Sequence, residues 1–202
     1  MNDSSVVVFD LGKVLLDFDY GIAAAKLAPR SRLAVAEMQA LLSQSPLLCR
    51  FESGQMTERE FFGEVCAASG YAGGWEEFSQ AFADIFFEIP PIVQLQAALK
   101  ARQVPTFILS NTNPIAVRHI RKTYPFFAGF DGYIFSYEQL AMKPEAKIYA
   151  RLEEMAGRAG EAIIYLDDRP ENVEGGLARG WRAVVHQTPE LTLAHLGQWG
   201  LP

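Results

Sequence analysis

Cysteine, histidine and clustered basic charge are all scarce in this chain. Its two cysteines, Cys49 and Cys66, stand in apolar, helical-looking sequence, a setting for buried thiols in a reducing compartment rather than for a disulfide or metal site. The three histidines, His119, His186 and His195, are too far apart to show the spacing of zinc ligands. No run of Lys and Arg occurs, and a formal net charge of -6 with a pI near 5.1 provides no field for a phosphate backbone, so nucleic acid is not expected as a partner. No apolar run approaches a membrane span and no leading segment resembles a signal peptide; the expectation is a soluble, cytoplasmic protein. Internal repeats, low-complexity tracts and features pointing to a protein partner are absent as well.

What is present is enough apolar sequence, 50% of 202 residues, to bury a full core. The organising stretch is Val6-Val7-Val8-Phe9-Asp10-Leu11-Gly12-Lys13-Val14-Leu15-Leu16. Its unbroken β-branched and aromatic run reads as a strand covered on both faces. Ligands of open α/β sheets bind just beyond the carboxyl ends of such strands, which puts Asp10 where a nucleophile or metal ligand belongs. A lone Asp there more often serves as a turn cap, so the reading depends on the other strand ends.

From about Asp17 to Ile89 no strand is apparent. Segments at Ala23–Leu27, Leu33–Leu42, Glu60–Ala68 and Trp75–Phe87 carry apolar residues three and four apart and read as a helical insertion. Thr57-Glu58-Arg59-Glu60 is a capping box, and Pro90-Pro91 opens the next helix. Thereafter helices at Ile92–Arg102, Pro114–Lys122 and Pro144–Met155 alternate with strands at Thr106–Leu109, Tyr133–Phe135, Ala162–Leu166 and Ala183–Val185. Such alternation implies right-handed crossovers and a parallel sheet.

The strand ends then carry complementary chemistry. Ser110 and Asn111 offer a hydroxyl and an amide ahead of Asn113-Pro114, an N-cap and first helical residue, which makes an anion site. Lys143 before Pro144 suits a point charge aimed at phosphate. Asp167-Asp168 closes a buried strand, and adjacent carboxylates repel unless a cation sits beside them. A few oxygen donors, with substrate phosphate and water completing the shell, suit Mg²⁺.

These four motifs, Asp10-Leu11-Gly12-Lys13-Val14-Leu15, Ser110-Asn111-Thr112-Asn113, Lys143 in Met-Lys-Pro-Glu-Ala-Lys-Ile-Tyr, and Tyr165-Leu166-Asp167-Asp168-Arg-Pro-Glu-Asn172, resemble in order those of the haloacid dehalogenase superfamily phosphatases. The segments around them are most similar to the branch containing α-D-glucose-1-phosphate phosphatase. The resemblance implies an α/β, Rossmann-like parallel sheet in the order 3-2-1-4-5, with residues 1–16 and 90–202 forming the catalytic core and 17–89 a helical C1 cap. It also implies a small phosphorylated metabolite as substrate and Asp10 as nucleophile. Ser110, Asn111 and Lys143 would bind the phosphoryl oxygens, and Mg²⁺ would be held by Asp10, the Gly12 carbonyl, Asp168 and, directly or beside it, Asp167.

One position departs from the family. Most members have a second Asp two residues after the nucleophile as general acid and base, and here Gly12 stands there. Its loss removes roughly a hundred- to ten-thousandfold in rate for a leaving group that needs protonation. Three readings follow: a leaving group that departs unaided, as an anomeric, acyl or aryl phosphate provides, which is the favoured expectation because the glucose-1-phosphatase branch the chain resembles carries the same Asp-x-Gly pattern; a substitute acid at Asp17 or Asp19; or a catalytically weak binding protein. A dehalogenase would carry Tyr at position 12 and need no metal. A phosphonatase would need a Schiff-base lysine, and Lys26, the only lysine between Val14 and Leu99, reads as a surface residue of an amphipathic helix.

Overall fold

The computed structural model of the chain describes residues 5–43 and 45–202. Strand β1 (Val6–Phe9) lies at the centre of a five-stranded parallel sheet whose other members are β4 (Thr106–Ser110), β5 (Gly132–Phe135), β6 (Ile163–Asp167) and β7 (Arg182–Val185). Between β1 and β4 the chain forms a short strand β2 (Leu16–Phe18), five helices, a short strand β3 (Phe86–Glu88) and helix α6 (Pro90–Ala101). The sheet order is β5-β4-β1-β6-β7, which counted over the core strands alone is 3-2-1-4-5. β1 pairs through Val8↔Phe107 on one side and Val8↔Tyr165 on the other. The order reverses beside β1, and that reversal opens the crevice where doubly wound sheets bind ligands.

Alternate side chains of β1 enter two different cores. Val7 and Phe9 join Ile92, Leu95 and Leu99 of α6 and Val117 and Ile120 of α7 (Pro114–Thr123). After α7 come the short helix α8 (Ser136–Gln139) and α9 (Ala146–Ala156). Val6 and Val8 face Ile148, Tyr149 and Leu152 of α9, with Trp181 beyond α10 (Pro170–Leu177). All four strand residues are buried, each contributing about 1.5–3 kcal/mol of apolar transfer. The terminal α11 (Pro189–Gln198) adds Leu196 to the first core.

The five helices between β2 and β3 are α1 (Tyr20–Leu27), α2 (Val35–Ser43), α3 (Pro46–Glu52), α4 (Glu58–Ser69) and α5 (Trp75–Ala83), and they share a separate apolar cluster. Its centre is aromatic: Phe51 stacks on Phe61 at 4.3 Å and Phe78 on Phe82 at 5.7 Å. The capping box at Thr57 and Glu60 forms in both directions.

Several expectations change. The stretch from Asp17 to Ile89 does contain strand: β2 and β3 pair antiparallel, Leu16↔Glu88 to Phe18↔Phe86. Three-residue strands are too short to show a period of two, and Phe86 and Phe87 extend the helical spacing of Trp75, Phe78 and Phe82, so the helix expected through Phe87 in fact ends at Ala83. Helix α9 begins at Ala146 rather than Pro144, because Lys143-Pro144 is used in the turn before it. Cys49 is exposed although its Sγ lies 3.9 Å from Met142 Sδ, and Cys66 is only partly buried against the apolar cluster of the insertion, so neither is the buried thiol expected.

Three contacts press the helical insertion onto the sheet's carboxyl edge. Arg118 of α7 grips Glu58 with two bonds of 2.7 and 2.9 Å. Ser136 Oγ donates to the Glu52 carbonyl at 2.6 Å. Gly54, at φ +74°, brings its backbone so close to α8 that a Cβ would lie 2.3 Å from the Tyr137 carbonyl oxygen. Among the described residues no helix is long and apolar enough to cross a membrane.

Candidate active site

Asp10 follows β1, its amide tied to the Leu166 carbonyl at 2.8 Å, so the main chain is fixed where the side chain leaves the sheet. Its Oδ1 accepts the Leu11 amide at 2.6 Å and lies 2.9 Å from Lys143 Nζ. Burial raises the Asp10 pKa to about 7; Lys143 opposes the shift, and the charges of Asp167 and Asp168 add to it.

Lys143 is the hub. Its buried ammonium reaches Asp10, donates to Asp167 Oδ2 at 2.6 Å and to the Leu109 carbonyl at 2.9 Å. Burial alone would depress this amine, but the two carboxylates outweigh it and hold the pKa above its usual value. The Asn111 side chain clamps the Lys143 backbone from both sides: Oδ1 accepts the Lys143 amide at 2.8 Å and Nδ2 donates to its carbonyl at 3.0 Å. Asn111 therefore retains its main-chain amide for an anion, its side chain being committed. Ser110 ends β4 beside the Asp10 strand, buried, its hydroxyl making among the described residues only a 3.4 Å contact with the Asn111 carbonyl.

Asp167 is fully buried, with both oxygens occupied. Oδ2 accepts Lys143 and the Tyr165 hydroxyl, and Oδ1 accepts the Arg169 amide and Asn172 Nδ2, each at 2.9 Å. Against the pull of burial, these donors, led by Lys143, hold its pKa below the usual value. Asp168 is only partly buried, and its pKa is raised by burial and by the neighbouring Asp167 charge. Oxygens of Asp10, Asp167 and Asp168 lie within 4.8 Å of one another, three carboxylates against a single ammonium. An all-oxygen donor set with excess negative charge fits a hard divalent cation.

The turn after Asp10 explains the glycine. Its hydrogen bonds use the Leu11 and Leu16 carbonyls, so the Gly12 carbonyl takes no part in them. A Cβ on Gly12 would lie 2.8 Å from Phe18 Cε1, so the Phe18 ring occupies the room a side chain there would need. Neither proposed substitute acid is suited to the role. Asp17 is exposed and bound to Lys13, which, ahead of a small effect of burial, holds its carboxyl below the usual range. Asp19 caps α1 through the Gly21 amide at 2.7 Å.

The expected residues thus converge, and the structure adds others. Ser136 Oγ accepts the Thr112 amide at 3.0 Å while donating to the Glu52 carbonyl, tying the anion loop to α3. The Glu52 carboxyl faces the same edge: burial raises its pKa to about 8, with Asn113 opposing, the Asp10 charge adding and Arg169 opposing. One sequence signal for Glu52 existed. A carboxylate in the last turn of a helix, here just before Ser53-Gly54, opposes the helix dipole and needs a local reason.

Residues 5–180 match the family model described as haloacid dehalogenase-like hydrolase. The chain belongs to the haloacid dehalogenase-like hydrolases. Solved structures of similar fold include a HAD family enzyme from Bacteroides thetaiotaomicron, at 22% identity and TM-score 0.79 over 93% of this chain and 98% of that one. The same enzyme is known in complex with magnesium and inorganic phosphate, at 22% identity and TM-score 0.77 over 89% and 92% of the two chains. L-2-haloacid dehalogenase from Xanthobacter autotrophicus is similar at 20% identity and TM-score 0.66, over 95% of this chain and 82% of that one. One of these neighbours is known with magnesium and inorganic phosphate and another is a dehalogenase, so the reaction of this hydrolase has to be argued from its own site.

Proposed function

We propose that this hydrolase is a Mg²⁺-dependent phosphomonoesterase working through an aspartyl-phosphate on Asp10. The observation that carries the reading is the ammonium of Lys143 held between Asp10 and Asp167 beside a third carboxylate, a charge arrangement suited to a dianionic substrate plus a cation. Asp10, oriented by Leu11 N and Lys143, attacks phosphorus, and the P–O bond to the leaving group breaks as the bond to Asp10 forms. Ser110 Oγ, the Asn111 main-chain amide and Lys143 Nζ hold the non-bridging oxygens. Asp10, Asp168 and the Gly12 carbonyl would hold Mg²⁺, which when bound neutralises charge that otherwise repels the nucleophile. With its four hydrogen bonds, Asp167 acts as a positioning residue for Lys143 rather than as a direct ligand.

Residues 17–89 act in this reading as a C1 cap over a core made of 1–16 and 90–202, excluding water and selecting the leaving group. The similarity of the motif segments to the glucose-1-phosphate phosphatase branch favours a monosaccharide phosphate. A metal-free dehalogenase would leave three carboxylates balanced by the Lys143 ammonium alone and would need a side chain where Phe18 covers Gly12.

The test is phosphate release from a panel of sugar, alkyl, acyl and aryl phosphates, with Mg²⁺ and with EDTA. Mg²⁺-dependent release that disappears in Asp10→Asn is expected. No release from any ester, or halide release from 2-haloacids in EDTA, would overturn the reading.

A further inference from the structure

The acid missing at Gly12 has a replacement on the insertion. We propose that Glu52, at the end of α3, is the general acid that protonates the leaving-group oxygen and the general base that then activates water. The proposal rests on the phosphomonoesterase reading above.

Three independent features place this carboxylate. Its main chain is pinned to the anion loop, because one hydroxyl, Ser136 Oγ, bonds both the Glu52 carbonyl and the Thr112 amide. The next turn is locked by the close approach of Gly54 to the Tyr137 carbonyl. Its side chain is bonded to Asn113, which follows β4, and lies within reach of the charges of Asp10 and Arg169, which follow β1 and β6, so one carboxyl is influenced by groups at three strand ends. The Asn113 Oδ1 is taken by the Ala116 amide at 3.0 Å, which leaves its NH₂ as the group that interacts with Glu52.

The alternatives are closed by the same structure: Phe18 fills the space above Gly12, Asp17 is bound to Lys13, and Asp19 caps α1. Burial, the largest influence on this carboxyl, raises its pKa to about 8 and favours the protonated form that an acid needs before the first step. The proton balance closes over a turnover. As Asp10 takes the phosphoryl group, the departing oxygen takes the Glu52 proton and leaves as an alcohol. The Glu52 carboxylate then removes a proton from water, whose oxygen attacks phosphorus and expels Asp10 as a carboxylate, and Glu52 is protonated again.

Glu52→Gln keeps the shape and removes the proton. Its first turnover on a primary alkyl phosphate should fall about 10²- to 10⁴-fold, while that on p-nitrophenyl phosphate, whose leaving group needs no proton, falls less than about tenfold. On the aryl ester aspartyl-phosphate should then accumulate, while the substrate dissociation constant stays near that of the unaltered enzyme. The basic limb of the kcat profile near pH 8 should vanish in the variant. A second measurement needs no turnover: the ¹³C carboxyl resonance of Glu52 in the unaltered protein should titrate near pH 8, and lower in Asp10→Asn. An unchanged alkyl-phosphate rate, an equal first-turnover loss on both esters, or a change in KM alone would overturn the assignment, as would a Glu52 resonance titrating near the ordinary 4.5. If Asp10→Asn retains full activity, the phosphatase reading itself fails; if it is dead while Glu52→Gln is unimpaired, only the role of Glu52 does.

Discussion

Asp10→Asn should make the metal-free protein more stable at alkaline pH while abolishing its turnover. The Asp10 pKa rises from 3.8 to about 7 on folding, burial being the main cause. A carboxyl with a raised folded pKa binds protons more tightly in the native state, so stability falls as pH rises through the interval between the two values. Three pKa units at about 1.4 kcal/mol each put the penalty of the ionised form at roughly 4 kcal/mol above pH 7. Most of the penalty is gone by pH 5, and below pH 4 it is close to zero. Asn mimics the protonated acid, so the variant should unfold at higher urea than the unaltered protein in EDTA at pH 8, with the gap closing by pH 4. Adding Mg²⁺ at pH 8 should narrow the gap, because a cation bound at the ionised carboxylates stabilises only the unaltered protein appreciably. A variant less stable at pH 8, or a gap that does not change with pH, would refute the argument that this carboxylate is held at the expense of the fold.

Gly12→Asp should lower turnover on alkyl phosphates instead of restoring it, since the new Cβ would stand 2.8 Å from the Phe18 ring; adding Phe18→Ala should recover part of the loss. A gain in kcat/KM from the single change would show that the ring yields. Gly54→Ala should destabilise the protein by at least about 2 kcal/mol, the left-handed backbone costing about 1–2 kcal/mol and the contact with Tyr137 adding to it. Its urea midpoint would show this, and first turnover on alkyl phosphates should suffer more than on aryl phosphates as α3 shifts.

Much of this fold was legible because its core strands are short, continuously apolar and end in polar residues. Val6 to Phe9 carry no polar alternation, and the structure shows why: successive residues enter two different apolar cores, so both faces need the same chemistry. Asn113-Pro114 and the Thr57 capping box marked helix starts because each uses a local hydrogen bond that needs only neighbouring residues. The β2–β3 ribbon was not legible, since its pairing joins Leu16 to Glu88 and leaves no local periodicity. The same distance hid Glu52, whose surroundings come from Asp10, Asn113 and Arg169. Asp167 and Asn111 were visible as polar residues at strand ends, but nothing in their spacing distinguishes a carboxylate or amide that meets a ligand from one engaged entirely by its own protein.

The central place of β1 also bears on how the chain is made. Val7 pairs with Thr106 and with Ile164, partners synthesised about 100 and about 160 residues later. At ~5–20 residues per second, the first strand is synthesised about 5 seconds or more before either neighbour exists. Throughout that interval Val6–Phe9, with the chemistry of an aggregation-prone segment, has both edges unpaired. The helices between β2 and β3, whose apolar cluster draws almost entirely on residues within that segment, can meanwhile fold. Synthesis therefore completes the apolar cluster of the helical insertion first, and Asp10 is set in place only when β6 arrives to close the sheet around it.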